Sequence, residues 1–385
     1  MSDYRTVTAC RLCDSEQLTE ALNLGETPLA NELGGTELFP LVVMRCDDCE
    51  HHQLSIAVAP ERLWGPNYPY QSGTSPVFRA HLEALADEVA ALVPPGATVF
   101  EIASNDGTLC RMLSERGLRA KGTDPSGPLE ETDLPYLRLW REPWPRPEKV
   151  SGMSVILALN VFAHVDDLHS FTAAVKEALA PDGVFIIEVG YAPAVADQGL
   201  FDVIYHEHFS YHSTGALAKF LARHGLAIEQ TTFNRSQGGS MRYYIRHKSP
   251  SDFSSDWQRT RDDPKLAKLR ERIALTAAGI QLACQDGGSV AGYGCPAKLT
   301  TLMYATGLDR NALTCIYDDN PLKVGKLTPG TLIPIVPSAN LVADAPDTLI
   351  LFAWNFASEI IPRLRAQGYK GRIVTPLPEV EVDEL

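Results

Sequence analysis

The chain has 385 residues, more than a typical single core holds, so two or three domains are expected. Its composition, with 45% hydrophobic and 21% charged residues, is that of an ordinary globular protein. A net charge of −14 repels the phosphates of nucleic acids and anionic lipids, so we expect neither as a partner, although a local basic pocket could still hold one anionic small molecule.

The sequence shows no targeting or membrane segment. The N-terminus, MSDYRTVTAC, lacks the apolar core of a signal peptide, and no apolar run reaches the length of a membrane span. We therefore expect a cytoplasmic protein, in which paired cysteines indicate metal binding or catalysis before disulfides. The oligomeric state, monomer or dimer, stays open.

Two C-x-x-C pairs lie near the N-terminus, with 32 residues between them. Each pair places two thiolates on one tight turn, and two such turns complete a tetrahedral shell for zinc. A full shell leaves no open coordination position, so the ion is expected to be structural. The adjacent His51 and His52 are predicted to be ordinary surface residues. The predicted ligands are Cys10, Cys13, Cys46 and Cys49.

A strand, a loop and a helix then form a candidate cofactor site. After a predicted helix over Phe78–Leu92, the pattern predicts a buried strand over Thr98–Ile102, a small polar loop over 103–107 and a helix over Thr108–Arg116. A helix N-terminus behind such a loop presents backbone N–H groups to a polar or anionic ligand. Glu101, at the end of the strand, is placed to hold an ammonium or ribose group.

The alternation of strands and helices continues. A second strand ends in Asp124, the position from which an acid commonly accepts hydrogen bonds from ribose hydroxyls. Strands over Ser154–Leu159 and Gly183–Val189 enclose a helix over Leu168–Leu179, with a turn at 181–183. This order predicts a parallel sheet whose ligand lies at the carboxyl ends of its strands.

The loop sequence favours S-adenosylmethionine (SAM) over NAD. After Asp106 the spacing departs from the dinucleotide-binding pattern, and E-I-A-S-N-D-G (101–107) is more similar to the glycine-rich loop of SAM-dependent methyltransferases. Ala103 stands where that loop usually has its first glycine, which restricts the backbone near the ligand. NAD is kept as the alternative.

The segment with the most reactive side chains is Tyr205–His212, which has two phenols, one carboxylate and three imidazoles. A zinc-protease helix needs histidines separated by three residues, whereas His206 and His208 flank Glu207 directly. We instead predict general base chemistry, in which a carboxylate orients a histidine and a tyrosine hydrogen-bonds the oxygen that gains charge. The alternative is a satisfied polar network capping a helix at Thr214.

The last third of the chain predicts a second nucleotide-type α/β unit. A charged helix over Asp262–Cys284 leads to a strand over Ser289–Ala291 and a loop over Gly292–Lys298, and strands over Cys315–Tyr317 and Thr348–Ala353 follow. Lys298 would be a phosphate partner if the unit binds a nucleotide. Because no G-x-G-x-x-G is complete, a scaffold without a ligand is an equal alternative.

A series of motifs runs along nearly the whole chain: L-G-x-x-P-L-A-N (24–31), M-R-C-x-x-C (44–49), Y-P-Y-x-S-x-T-S-P (68–76), E-I-A-S-N-D-G, N-V-F-A-H (160–164), I-Y-H-E-H (204–208), G-G-S-M-R (238–242) and G-Y-G-C-P-A-K (292–298). In this order they resemble the C-methyltransferases of antibiotic deoxysugar pathways, which act on nucleotide-activated 4-keto sugars. The resemblance implies an α/β chain with a zinc-binding module (1–65), a Rossmann-like SAM methyltransferase domain (66–248) and a C-terminal Rossmann-like substrate-binding domain (249–385).

The resemblance also implies a mechanism, in which a base removes the proton next to the ketone of a dTDP-linked sugar and the enolate attacks the methyl group of SAM. It implies His208 as the base, Tyr205 and Glu207 as assisting groups, and Tyr70 as a residue that reaches the cleft. The expected cofactor contacts are Glu101, Ala103, Asn105, Asp106, Gly107, Asp124, Asn160 and His164. The expected substrate contacts are Lys298, Tyr293 and Arg242.

Some positions depart from the family pattern and keep alternatives open. Residues 125–153 are proline-rich and look shortened, Ala103 and Asp124 replace the usual glycine and glutamate, and Gln237 stands where histidine is frequent. These changes could remodel the adenosine pocket. A chain that kept the base without SAM would be an epimerase or isomerase, and a chain without catalysis would be a zinc and Rossmann binding protein.

Overall fold

A computed structural model describes residues 3–64, 71–125, 137–146, 150–248, 257–285 and 288–384. In these ranges the strands form four sheets, and the mixed α/β class expected from the sequence is confirmed. No helix in the described ranges is both long enough and apolar enough to cross a bilayer.

The N-terminal module is built from short antiparallel strands. Its elements are β1 (Tyr4–Thr6), β2 (Leu18–Thr27), β3 (Phe39–Cys46), β4 (His52–Leu54), β5 (Ile56–Val58) and α1 (Pro60–Leu63). β2, β3 and β4 pair in sequence order, and β1 pairs with β5. Alternate residues of β3, such as Leu41 and Val43, are fully buried, so one face of this sheet packs on a core.

The central unit is a doubly covered, mostly parallel sheet. Its elements are α2 (Pro76–Leu92), β6 (Thr98–Ile102), α3 (Thr108–Glu115), β7 (Arg119–Thr123), β8 (Leu137–Trp140), β9 (Met153–Leu159), α4 (Leu168–Ala178), β10 (Leu179–Gly190), α5 (Ala192–Gln198), β11 (Ser210–Tyr211), α6 (Thr214–Arg223), β12 (Leu226–Asn234) and β13 (Ser240–His247). The strand order is β12-β13-β10-β9-β6-β7-β8, and only β12 and β13 run antiparallel to their neighbours.

Alternating side chains of the central strands fill the two layers of this unit. Val99 and Val155 pack with α2 and α3 on one face, and Phe100 and Ile156 pack with α4 and α6 on the other. The N-cap residue fixes the start of α2. The Ser75 hydroxyl accepts the Phe78 N–H at 3.3 Å, and a proline, which favours the first position of a helix, follows Ser75.

The C-terminal unit is a second parallel sheet. Its elements are α7 (Leu269–Ala283), β14 (Val290–Tyr293), α8 (Lys298–Thr306), β15 (Ile316–Asp318), β16 (Ile335–Pro337), α9 (Leu341–Asp344), β17 (Thr348–Leu351), α10 (Ala357–Ala366), β18 (Arg372–Thr375) and β19 (Glu381–Asp383). The order is β16-β15-β14-β17-β18-β19, with only β19 antiparallel. The domain limits given above stay a prediction.

The structure differs from the expected elements at three places. The turn at 181–183 lies inside β10, as an irregularity in pairing between Leu179 and Val184. The expected helix over Asp262–Cys284 starts only at Leu269, because Pro264 and the left-handed Lys265 (φ 49°) precede it. The edge strand β8 lies in the proline-rich stretch 125–153, where no strand was predicted.

One hydrophobic core joins parts that are far apart in sequence. Val43 of the N-terminal module, Phe201 and Ile204 of the segment before β11, and Leu302 and Ile350 of the C-terminal unit belong to the same buried cluster. β11 itself pairs with β4, so the N-terminal sheet has the order β11-β4-β3-β2. The histidine-rich segment therefore lies where all three parts of the chain meet.

Candidate active site

The structure brings the four predicted zinc ligands together. Their Sγ atoms lie within 4.8 Å of one another, with 3.5 Å between Cys10 and Cys49 and between Cys13 and Cys46. Zinc–sulfur bonds of about 2.3 Å in a tetrahedron place sulfurs roughly 3.8 Å apart, so the set fits a four-thiolate zinc ion.

The two cysteine turns share one backbone geometry. Asp14 N–H donates to the Cys10 carbonyl at 2.9 Å, and Glu50 N–H donates to the Cys46 carbonyl at 3.0 Å. The residue after each pair is left-handed, with φ of 64° at Asp14 and 69° at Glu50. This repeated turn aims both thiols of each pair at one point.

The prediction that His51 and His52 lie on the surface is wrong. They are 0% and 1% exposed, and β4, which begins at His52, lies between β3 and β11 in the N-terminal sheet. The Nε2 atom of His51 lies 3.2 Å from the Ser210 hydroxyl, and its ring lies 5.4 Å from that of His212. Burial keeps the pKa of His51 well below its ordinary value.

The cofactor loop follows β6 and is braced by the end of β7. Ala103 (φ 57°), Asn105 (φ 50°) and Gly107 (φ 74°) are all left-handed. Asn105 N–H donates to Asp124 Oδ2 at 3.0 Å, which fixes the loop against the neighbouring strand. Ala103 therefore adopts a left-handed conformation that glycine enters more easily, and its role as a cofactor contact stays a prediction.

A turn packs over this loop. Ser72 N–H donates to Asn105 Oδ1 at 2.9 Å, and Gly73 N–H donates to Asp106 Oδ2 at 2.7 Å. These two loop side chains thus hold the segment that precedes α2. Tyr70 lies outside the described residues, two positions before Ser72.

The remaining predicted cofactor residues differ in their placement. Glu101 is 6% exposed and faces α3, where the Cys110 thiol donates to Oε2 at 3.0 Å, and burial raises the pKa of Glu101 to about 8. Its contact with the cofactor stays a prediction. Asn160 (φ 54°) ends β9 and donates its N–H to the Glu188 carbonyl at 2.7 Å. His164 follows, with its ring stacked 5.9 Å from Trp64.

Two side chains of the histidine-rich segment differ from the others in their exposure to solvent. Among the residues of Phe201–Thr214, only Tyr205 and His208 keep partial exposure, and the others are buried. The rings of Tyr205 and His208 lie 4.1 Å apart, and the ring of His164 lies 5.0 Å from His208. These three rings form one cluster.

Hydrogen bonding determines which nitrogen of His208 is basic. Nδ1 lies 2.7 Å from the Val203 carbonyl oxygen, which can only accept, so Nδ1 carries the proton and Nε2 keeps its lone pair. The expected carboxylate partner is thus replaced by a backbone carbonyl. Burial, together with the smaller effect of the positive charge of Lys298, lowers the pKa of His208 to about 4, so the imidazole is neutral at pH 7.

Glu207 and His206 point toward the N-terminal module. Asn31 Nδ2 donates to Glu207 Oε1 at 2.6 Å, and His206 Nε2 donates to the Pro40 carbonyl at 3.2 Å. Sequence reasoning did not identify Asn31 as a partner of Glu207. The only signal was its presence in the L-G-x-x-P-L-A-N motif.

Lys298 is buried together with other polar side chains. Its Nζ donates to the Gln237 carbonyl at 3.3 Å and lies 4.9 Å from the centre of the Trp354 ring. Trp354 Nε1 donates to Asp202 Oδ2 at 2.5 Å. Burial lowers the pKa of Lys298, against the opposing charge of Asp202. Asp202 and Trp354 were missed, since nothing in the sequence shows that they meet.

The other two predicted substrate residues have protein partners. Arg242 is an ion-pair partner of Glu188 at 2.7 Å and of Glu88 at 2.5 Å. Tyr293 packs in a separate hydrophobic cluster of the C-terminal sheet, and its hydroxyl lies 3.0 Å from the carboxylate of Asp319. Their role in binding the substrate stays a prediction.

Comparisons with known proteins now identify the chain. Models of a zinc binding domain, a methyltransferase domain and a C-methyltransferase C-terminal domain match residues 10–64, 78–231 and 235–378. The C-methyltransferase NovU of Streptomyces niveus is 30% identical over 409 residues, covering 98% of this chain and 97% of NovU. This chain belongs to the C-methyltransferase family. As a C-methyltransferase it is a SAM-dependent enzyme with a zinc-binding module, so the epimerase, the non-catalytic protein and the NAD site are set aside.

Solved structures are similar to the C-methyltransferase over less than half of its length. The CcbJ methyltransferase of Streptomyces caelestis matches at TM-score 0.37 and 15% identity, over 44% of this chain and 90% of that one. A Burkholderia thailandensis 1,6-didemethyltoxoflavin-N1-methyltransferase matches at TM-score 0.36 and 15% identity, over 44% and 78% of the two chains. These distant similarities add no argument about function.

Proposed function

We propose that this C-methyltransferase methylates the carbon next to the ketone of a nucleotide-activated 4-keto-deoxysugar, with dTDP as the nucleotide and His208 as the base. The observation that carries the proposal is the geometry of His208. Its Nδ1 is held by the Val203 carbonyl at 2.7 Å, it stays partly exposed, and it lies beside a phenol. The order of motifs along the chain supports the sugar substrate.

The reaction balances with a single base. His208 Nε2 takes the proton from the carbon next to the ketone, and the electron pair moves toward the ketone oxygen. The carbon then forms a bond to the methyl group, while the bond between methyl and sulfur breaks. SAM supplies the methyl group and leaves as the neutral thioether S-adenosylhomocysteine. A neutral imidazole at pH 7 is in the protonation state that this step requires.

The surrounding side chains receive assisting roles in this proposal. Tyr205, 4.1 Å from His208 between ring centres, hydrogen-bonds the oxygen that gains charge. Glu207 assists from its position beside the N-terminal module, where the Asn31 amide donates to its carboxylate. Lys298 offers a positive charge close enough to lower the pKa of His208, which suits an anionic substrate. Tyr70, Tyr293 and Arg242 stay predictions from the motif order.

The cofactor would lie at the carboxyl ends of the central strands. The loop residues Ala103, Asn105, Asp106 and Gly107 directly precede α3, whose first N–H groups would be available to the cofactor. Asp124 is proposed for the ribose, while Asn160 and His164 line the same edge from the end of β9. Glu101 is kept as a proposed contact for the ammonium or ribose group.

The test uses dTDP-4-keto-6-deoxyglucose as the acceptor and SAM labelled in its methyl group. We expect label in the sugar at the carbon next to the ketone, and we expect that carbon to exchange its proton with D2O when SAM is replaced by S-adenosylhomocysteine. His208→Gln should lower both rates by about 10² to 10⁴, as loss of a general base does. Tyr205→Phe should lower them by about 10².

The matched control is His224→Gln, because His224 lies in another part of the central unit, near His169. It should retain both rates. Label transfer that survives in His208→Gln would exclude His208 as the base. Absence of label in the sugar, with SAM bound normally, would exclude this acceptor class.

A further inference from the structure

The zinc-binding module is joined directly to the segment that carries His208. β4 pairs with β11 so that Gln53 lies opposite Ser210 and His52 opposite Tyr211. Leu54 N–H continues the pairing and donates to the Phe209 carbonyl at 2.9 Å. Phe209 directly follows His208, so the backbone next to the proposed base is held by the N-terminal module.

Arg11 lies between the first two cysteines and reaches this same backbone. Its side chain is 3% exposed, and Nη1 donates to the Leu54 carbonyl at 3.0 Å and to the Phe209 carbonyl at 3.4 Å. Its guanidinium carbon lies 5.3 Å from the centre of the Phe209 ring. The backbone of Arg11 is fixed as well, because its N–H donates to Gln53 Oε1 at 2.8 Å.

The other edge of the same guanidinium holds the segment that carries His164. Arg11 Nε donates to Asp166 Oδ1 at 3.1 Å, and Asp166 lies two residues after His164. The rings of His164 and His208 lie 5.0 Å apart. One buried arginine therefore contacts the Phe209 carbonyl, next to His208, and the Asp166 carboxylate, two residues after His164.

We propose that Arg11 is a positioning residue, through which the zinc-bound turn holds His208 and His164 in their catalytic geometry. This inference rests on the proposed role of His208. The planar guanidinium donates in several fixed directions at once, which a lysine ammonium on a flexible stem does not reproduce. A zinc ion held by Cys10, Cys13, Cys46 and Cys49 would fix the turn from which the Arg11 side chain extends.

Arg11→Lys is the decisive variant, because it keeps the charge and much of the buried volume, and Arg11→Ala is the second. Arg5→Ala is the matched control, since Arg5 also pairs with Asp166, at 2.5 Å, but is 59% exposed and lies on the solvent side of that carboxylate. Each full-length, zinc-loaded variant is checked for zinc content and for SAM affinity by calorimetry. Both should equal those of the parent protein.

The first readout requires no acceptor. Histidine labelled with 13C and 15N reports the tautomer and pKa of each imidazole by NMR, with His208 assigned through His208→Gln. In the parent protein His208 should keep its proton on Nδ1. In both Arg11 variants its signal should shift or split and its pKa should move toward 6.5, whereas Arg5→Ala should match the parent.

The second readout is methyl transfer to the keto sugar. Misplacement of the base should lower kcat by at least about tenfold with little change in KM. Unchanged His208 signals in Arg11→Lys would overturn the proposal, and so would loss of zinc or of SAM binding, which would indicate a purely structural role. Shifted His208 signals in a protein that does not methylate the sugar would support the positioning role and reject the proposed acceptor.

Discussion

At the residue scale, the cofactor loop depends on backbone conformations that ordinary side chains rarely adopt. Ala103, Asn105 and Asn160 all have φ near 50° to 57°. Asparagine tolerates the left-handed region better than alanine does, because its short polar side chain can bond locally. Ala103 therefore carries a strain that the surrounding loop must hold, and the sequence had already singled it out as the position of a missing glycine.

Ala103→Gly should raise the free energy of unfolding by about 1 kcal/mol, because glycine enters the left-handed region without a Cβ penalty. Urea unfolding followed by circular dichroism measures this change. The contrasting control is Ala84→Gly at an exposed position in the middle of α2, where glycine should lower stability by about 1 kcal/mol. A loss of stability in Ala103→Gly would show that Ala103 is not strained.

At the element scale, the start of α6 is closed by a residue from a distant segment. Ser213 stands at the N-cap but makes no side-chain capping bond. Asp262 instead accepts the Thr214 N–H at 2.6 Å and the Gly215 N–H at 3.0 Å, and it also accepts the Tyr191 hydroxyl at 2.9 Å. Its negative charge is favourable at a helix N-terminus.

Asp262→Ala should lower the free energy of unfolding by about 1 to 2 kcal/mol, since it leaves two helix N–H groups without their acceptor. Asp262→Asn keeps an oxygen acceptor and should recover part of this loss. Asp197→Ala, at an exposed carboxylate near Tyr191, is the control and should stay within about 0.5 kcal/mol of the parent. Equal stability of Asp262→Ala and the control would refute the capping role.

Elements with strong local patterns were predictable, and those defined by long-range contacts were not. The bounds of β6 agree with the prediction, because buried apolar residues lie between a proline turn and a polar loop. The edge strand β8 carries Arg138 and pairs only with β7, so it lacks the buried pattern of a central strand. In the candidate site, local motifs indicated Tyr205 and His208, whose catalytic roles stay predictions. Partners such as Arg11, Asn31 and Asp262 come from segments that meet only after folding.

At the scale of the whole molecule, the three parts of the chain share buried histidines as well as a hydrophobic core. His206 faces Phe39 of the N-terminal module, His212 lies against Phe162 of the central unit, and His208 is within the electrostatic reach of Lys298 of the C-terminal unit. Burial lowers the pKa of each of the three to about 4. The three imidazoles at this junction must therefore stay neutral in the folded protein.

Acid should consequently loosen the whole molecule before most carboxylates titrate. Unfolded histidines bind protons below about pH 6.5, whereas these native imidazoles do so only near pH 4, so stability is present above pH 6.5 and is lost as the pH falls toward 4. Three such groups give at most about 4 kcal/mol per pH unit. Urea unfolding between pH 7 and pH 5 measures the slope, with zinc release followed separately by a metal-sensitive dye. His212→Phe removes one of the three and should reduce the slope by about one proton; an unchanged slope would mean that His212 is not held neutral by the fold.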